Sequence, residues 1–262
     1  MCFSQSKWNA GIGFGGINYF RDLQDKKITT VGMQINATAG IGYQALPHLA
    51  ANLNFTVGKI SATDRTNGPK WYYRNLSFRS QIFEAALTVE YDIFDITPDG
   101  ESNSLYESAR KFTPYIFVGV GAFHYNPYTD DQSGKKVYLQ PLGTEGQLTP
   151  YPLWQFCIPY GIGVKYAVTD DFLIGGEFNL RKLFTDYLDD ASHFHYIDTT
   201  VLLASHGQEA ASLSYRADEI PGTKYQFWGY RGNPEKKDGY YSFLIKASFR
   251  LFTHRPKFYY GY

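Results

Sequence analysis

Hydrophobic and polar positions alternate along this chain with a period of two, in one segment after another. From Phe83 to Tyr91 one face carries Phe83, Ala85, Leu87, Val89 and Tyr91, and the other carries Glu84, Ala86, Thr88 and Glu90. From Tyr241 to Leu251 the residues Tyr241, Phe243, Ile245, Ala247, Phe249 and Leu251 alternate with Ser242, Leu244, Lys246, Ser248 and Arg250. Such alternation marks a half-buried β-strand. It predicts eight strands, at Lys7–Phe20, Thr30–Gln44, Leu49–Ile60, Phe78–Phe94, Phe112–Tyr125, Phe156–Val168, Phe172–Phe184 and Gly239–Phe252. All exceed the about 5–6 residues usual in globular sheets, and all suit a strand crossing a bilayer at a tilt. No amphipathic helix of useful length is visible.

The connections alternate in length. Ala45–His48 and Thr169–Asp171 read as tight turns, and 95–111 as a polar link of medium length. Asn126–Gln155 and Thr185–Asp238 are long. Short turns at one end and long loops at the other is the pattern of an outer-membrane barrel. Eight strands then put both termini at the short-turn, periplasmic end.

The pooled polar faces are Asn9, Gln34, Asn36, Thr38, Asn52, Asn54, Thr56 and Asn179, with the charged residues Glu84, Glu90, Lys165, Glu177, Arg181, Lys246 and Arg250. Opposite signs on neighbouring faces predict a charge-paired filling of the lumen, for which an eight-stranded barrel is just wide enough. Such a filling leaves no aqueous channel. The other faces carry Ile35, Ile41, Phe55, Val57, Leu87, Val89, Ile162 and Val164, which suit lipid. Tyr43, Tyr91, Tyr166, Tyr241 and Phe252 fall near strand ends, where aromatic girdles belong. Alternation alone is equally compatible with a water-soluble barrel whose apolar face points inward. That arrangement would turn Gly11, Gly13, Gly15, Gly40, Gly42, Gly161 and Gly163 outward, which favours the membrane version.

Composition agrees with strands and turns. Aromatic residues make up 18% of the 262 residues, with 23 Tyr and 20 Phe, and Gly is frequent at 25. Lys plus Arg and Asp plus Glu balance at 25 each, so charge gives no reason to expect nucleic acid. The two cysteines, Cys2 and Cys157, make neither a disulfide framework nor a zinc cluster. No apolar run approaches the about 18 residues of a membrane helix. Residues 1–6 are expected to be a signal-peptide remnant and arm, 7–252 the barrel, and 253–262 a periplasmic tail.

Candidate chemistry gathers in one stretch. Asp186, Asp189 and Asp190 crowd the end of the seventh strand, and Ser192, His193 and His195 come directly after. A hydrolase would need the serine hydrogen-bonded to an oriented histidine, and calcium would need six to eight oxygens. Adjacency in a mobile loop supplies neither. The acids are expected to emerge into the largest surface loop and to fix its exit. There they would pair with Arg181, Lys182 or Arg216, or make Asx turns. No cofactor, metal or small-molecule substrate is expected.

Four stretches, in order, are "FTPYIFVGVGAFHYNP" (112–127), "LQPLGTEGQ" (139–147), "IPYGIGVKYAVTDDF" (158–172) and "FTDYLDD" (184–190). Together they resemble the PorG-type outer-membrane barrels of the Bacteroidetes type IX protein secretion system. The resemblance runs from about Trp8 to Phe252, and "PLGTEGQ" and "FTDYLDD" are its most specific parts. It implies a non-enzymatic protein embedded in outer-membrane lipids. It also implies association with the periplasmic ring of the lipoprotein PorK and its partner PorN. The basic, aromatic tail would dock there through Phe258, Tyr259, Tyr260 and Tyr262, with 95–111 as a second contact. Two other readings remain at this point: an adhesion or structural barrel unrelated to secretion, and a lipid-modifying hydrolase.

Overall fold

The computed structural model describes residues 7–24, 28–94, 111–222 and 230–251. Eight long strands dominate it: β1 (Trp8–Phe20), β2 (Gln34–Leu46), β3 (Leu49–Thr63), β4 (Ser77–Asp92), β5 (Phe112–His124), β8 (Trp154–Ala167), β9 (Phe172–Leu183) and β10 (Gly239–Arg250). A small hairpin, β6 (Tyr128–Asp130) and β7 (Lys136–Tyr138), branches from the β5–β8 connection. Each long strand pairs antiparallel with its neighbour, and β1 pairs with β10 from Asn9↔Arg250 to Phe20↔Gly239, so the sheet closes on itself. The chain is a closed eight-stranded antiparallel β-barrel, the fold class that the alternation predicts.

The pleat sorts the side chains as the pattern requires. Along β4 every even-numbered residue from Phe78 to Asp92 is buried and every odd-numbered one is exposed. The outward face is apolar all round the barrel: Ile12 is 65% exposed, Ile35 67%, Leu87 54%, Val120 66%, Ile162 59% and Ile245 77%. The glycines of the opposite face line the lumen. Gly163 shows why one is needed there. A Cβ on it would stand 2.3 Å from the Tyr115 ring, which passes over Gly163 from one neighbouring strand to Glu177 on the other.

Strand boundaries differ from the sequence reading by up to about four residues, and the largest shift has a local reason. β2 begins at Gln34 rather than Thr30. Gly32 turns the chain at φ 76°, and the carbonyls of Thr29 and Val31 accept from the Asn18 amide. This strap also covers Tyr241, whose hydroxyl donates to Thr29 O, so Tyr241 is fully buried rather than part of an exposed girdle. Phe252 lies outside the described residues.

The long-loop end also holds helices that alternation does not reveal: α1 (Pro69–Tyr72) and α2 (Thr199–Ser214). The buried residues of α2 are Leu202, Ala210, Ala211, Leu213 and Ser214, which make no continuous apolar stripe, and Gly207 breaks it at φ 86°. The apolar core lies at this end too. Ile17, Tyr19, Ile60, Phe78, Ile82, Phe123, Tyr125, Leu183 and Tyr240 fill the lumen mouth, and Leu139, Tyr151, Leu188 and Leu213 cover it.

Candidate functional site

The lumen has three levels. At the short-turn end a cavity of about 740 Å³ is lined by residues such as Asn9, Asn52, Asn54 and Ser248, with Trp8, Leu46 and Phe94 among its apolar members. Arg250 lines it as well, and no ion pair holds it among the described residues. Within this level Lys165 bonds both Glu90 and Asp92, the latter at 2.8 Å. Lys246 Nζ is 2.8 Å from Glu177, which also accepts from Tyr115 at 2.7 Å.

The middle level closes the lumen. Glu84 accepts two bonds from Arg181, at 3.0 and 2.8 Å, and one from the Tyr240 hydroxyl at 2.5 Å. Cys157 Sγ lies 3.7 Å away. Above this level is the aromatic core. The filling is therefore not charge-paired throughout, as the pooled faces suggested. One half is ionic and open, and the other is apolar and capped. Asp92 escaped the sequence reading because it sits at the end of its strand, although its even-numbered register with Glu84 and Glu90 placed it inward.

The cap is where the predicted acids lie, and it corrects the expectation for them. Asp186, Asp189 and Asp190 do not emerge into a surface loop. They are 3%, 4% and 1% exposed, packed under the β9–β10 connection. Asp190 adopts φ 64°, which turns its carboxylate back beneath the cap. It accepts from Thr144 and from the Tyr151 hydroxyl at 2.8 Å. Its cation is Arg231, 3.5 Å away, rather than Arg181, Lys182 or Arg216. Arg181 is committed to Glu84, and Arg216 to Glu219.

Arg231 also pairs with Glu145, whose same oxygen accepts the backbone N–H groups of Ser192 and His193 at 2.9 Å each. The "PLGTEGQ" and "FTDYLDD" segments therefore meet in one buried network with Arg231 between them. Glycines permit the close turns: Gly143 and Gly146 have φ of 58° and 73°. Arg231 was missed by sequence reasoning. An arginine in a long loop carries no local mark of its burial.

Burial shapes the chemistry of these acids. It pushes the Asp186 carboxyl up to about 7, against the lowering bond from Ser192. It pushes Asp190 up to about 6, opposed by Arg231 and Thr144. Asp189 and Asp238 are held well above the usual carboxylate range by burial and by neighbouring acids. In each case removal from water favours the neutral carboxyl.

The hydrolase constellation does not assemble. Ser192 Oγ donates to Asp186 at 3.0 Å, not to a histidine. His193 is exposed, and His195 stacks on Tyr230. Among the described residues no three His, Cys, Asp or Glu side chains converge as a metal site. The candidate docking residues Phe258, Tyr259, Tyr260 and Tyr262, and most of 95–111, lie outside the described residues.

Residues 3–196 match the family defined by a domain of unknown function, DUF6089, and the chain belongs to that family. No curated protein matches the chain in sequence. Its shape is similar to that of Neisserial surface protein A, NspA, with 9% identity over 95% of this chain and 100% of that one, and a TM-score of 0.45. It is also similar to Ail, the attachment invasion locus protein of Yersinia pestis, in complex with the heparin analogue sucrose octasulfate (8% identity, 95% and 100% covered, TM-score 0.44). A third such structure is the N-terminal β-barrel domain of Pseudomonas aeruginosa OprF (10% identity, 94% and 100% covered, TM-score 0.37).

Proposed function

We propose that this DUF6089 protein is an outer-membrane barrel that acts as a non-catalytic anchor for a periplasmic assembly of the type IX secretion machinery. The observation that carries the membrane part is the barrel's exterior. Isoleucine, leucine, valine and phenylalanine cover it on every strand, while ion pairs and amides lie inside. In water that exterior would be a very large exposed apolar surface. In lipid it is the favourable solvent contact, and closure leaves no unpaired strand edge. The short-turn end then faces the periplasm with both chain ends, and the folded cap faces outward.

The anchoring role rests on the PorG-type resemblance of the four quoted stretches. A lumen blocked at Glu84, Arg181 and Tyr240 supports a barrel that holds something rather than one that conducts. The partners are a PorK-like lipoprotein and its PorN-like companion, reached from the periplasmic end. The test is a pull-down of the full chain from native membranes in mild detergent, with mass spectrometry of the co-purified proteins. Recovery of a PorK-like ring lipoprotein supports the anchor, and its absence overturns it. Deletion of 253–262 should weaken that recovery, and unchanged recovery would remove Phe258, Tyr259, Tyr260 and Tyr262 as the dock.

One observation favours a second reading, an adhesion barrel unrelated to secretion. The cap is a built structure with its own buried core and ion pairs, as a surface presented to an external partner would require. A pull-down free of ring components, with binding of whole cells to a surface lost on cap deletion, would support it.

A further inference from the structure

Two carboxylates meet one hydroxyl beneath the cap, and that hydroxyl has too few protons to satisfy both. The Tyr19 hydroxyl, at the long-loop end of β1, lies 2.6 Å from Asp189 Oδ2 and 2.9 Å from Asp238 Oδ1. The Asp22 N–H donates to the same hydroxyl at 2.9 Å. The far oxygens are occupied: Ala191 N–H donates to Asp189 Oδ1 at 3.0 Å, and Leu188 N–H to Asp238 Oδ2 at 2.9 Å. Tyr19 is fully buried, and Asp189 and Asp238 are 4% and 2% exposed.

A phenolic hydroxyl has one proton to give and can accept two. It can satisfy one of the two carboxylates as donor. The other approaches at hydrogen-bond distance only if it brings a proton of its own and donates it back. Asp22 N–H then fills the remaining acceptor position, and the hydroxyl is fully bonded. With both acids ionised, one oxygen would face a lone pair inside a dry core, at high cost.

We propose that Asp189 and Asp238 hold a single proton between them through Tyr19, and that this proton is a pH-sensitive clasp on the cap. The clasp joins β1 to both ends of the β9–β10 connection. Losing the proton to solvent leaves two carboxylates around one donor, and the cap segment carrying them must open to rehydrate.

The surrounding charges do not supply the missing donor. From the β9 exit comes Asp186, itself an acid, whose Oδ1 is buried with no hydrogen-bond partner. That orphaned oxygen is a second, separate sign that this pocket is built for protons. From the β1–β2 connection come Asp22, whose carboxylate accepts Asn233 N–H at 2.7 Å, and Arg21, which donates to Lys237 O. From the β3–β4 connection comes Arg74, committed to Asp64 and to the carbonyls of Asp22 and Arg231. From the β9–β10 connection come Arg231, committed to Glu145 and Asp190, and the lysines Lys236 and Lys237. No Lys or Arg among the described residues forms an ion pair with Asp189 or Asp238.

Burial first, and then repulsion from neighbouring acids (Asp238 and Asp22 for Asp189, Asp186 and Asp22 for Asp238), hold both carboxyls well above the ordinary range. A folded-state value raised above the unfolded one stabilises at low pH, and that contribution is lost as pH rises through the folded value. The clasp therefore opens on alkalinisation and tightens on acidification.

The test is hydrogen exchange on the full chain in phospholipid nanodiscs, read at the amides of Leu188 and Ala191 and corrected for intrinsic base catalysis. Above the clasp's titration, the opening equilibrium should rise about tenfold per pH unit, the slope of one released proton. Asp189→Asn and Asp238→Asn each replace the shared acid by an amide donor, and each should flatten that slope. Asp186→Asn should keep it. A flat wild-type profile, or an unchanged slope in Asp189→Asn and Asp238→Asn, overturns the proposal. Carboxyl-carbon NMR of the wild-type chain guards against variants that misfold. One of the two carboxyls should titrate above the ordinary aspartate range, and ordinary titration of both overturns it as well.

Discussion

Glu84 on β4 and Arg181 on β9 meet across the lumen in a two-pronged ion pair at 2.8 and 3.0 Å. Both are almost fully buried, at 4% exposure each. Their strands are not neighbours, for β5 and β8 lie between them on one side. The pair therefore braces the barrel across its width, with Tyr240 and Cys157 completing the shell around the carboxylate. Removing one partner leaves the other charge buried alone, while removing both leaves neither. Arg181→Met should lower stability by about 3–5 kcal/mol. The double variant with Glu84→Gln should regain much of that loss. Urea unfolding in lipid vesicles measures both. Equal losses in single and double variants would contradict the brace.

The outward face of β4 offers a test of the solvent around the barrel. Leu87 lies midway along the strand and Gln81 near its long-loop end, both facing out. If lipid surrounds the barrel, Leu87→Arg should cost about 2–4 kcal/mol, and Gln81→Arg only about 0–1 kcal/mol. Water around the barrel would make the two substitutions nearly equal and cheap. Unfolding titrations from bilayers distinguish the cases.

Gly163 and Tyr115 form a fitted pair. A Cβ at Gly163 would stand 2.3 Å from the ring, so the ring must move. Its hydroxyl would then leave Glu177, which it now meets at 2.7 Å. Gly163→Val should destabilise by about 1–3 kcal/mol. Tyr115→Ala in the same chain should relieve the clash, so the combined loss should fall short of the sum in a double-mutant cycle.

Asp186 gives a pH dependence of known sign. Its carboxyl sits at about 7 in the folded chain because of burial, against about 3.9 when unfolded. Its stabilising contribution is complete below the unfolded value and is lost as pH rises from about 4 through 7. Asp186→Asn should therefore remove that group's share of the loss while leaving the share of the Asp189–Asp238 clasp, measured as resistance of the β9–β10 connection to protease. An identical profile in the variant would exclude Asp186 as the titrating group.

Arg231 should act as the keystone of the cap. It is 2% exposed and neutralises Glu145 and Asp190 together. Arg231→Met should expose the β9–β10 connection to cleavage while the barrel strands stay protected. Adding Glu145→Gln should restore part of the resistance. Loss of the whole barrel in the single variant would mean that the network is global rather than local.

Much of this was legible in the chain itself. Period-two alternation located all eight barrel strands, because a pleated strand must send successive side chains to opposite faces. It also named Glu84, Arg181, Lys165, Glu90, Lys246 and Glu177 as one inward set. Which of them pair was not legible, since partners such as Glu84 and Arg181 stand 97 positions apart. The hidden part was the cap. "PLGTEGQ" and "FTDYLDD" stood out as motifs, yet nothing local said that Glu145 and Asp190 would share Arg231, or that Asp189 would meet Asp238 at Tyr19. Alternation is a local consequence of backbone geometry and can be read from neighbours in sequence. The burial of a loop, and with it the state of its acids, depends on contacts between distant segments that only the closed barrel brings together.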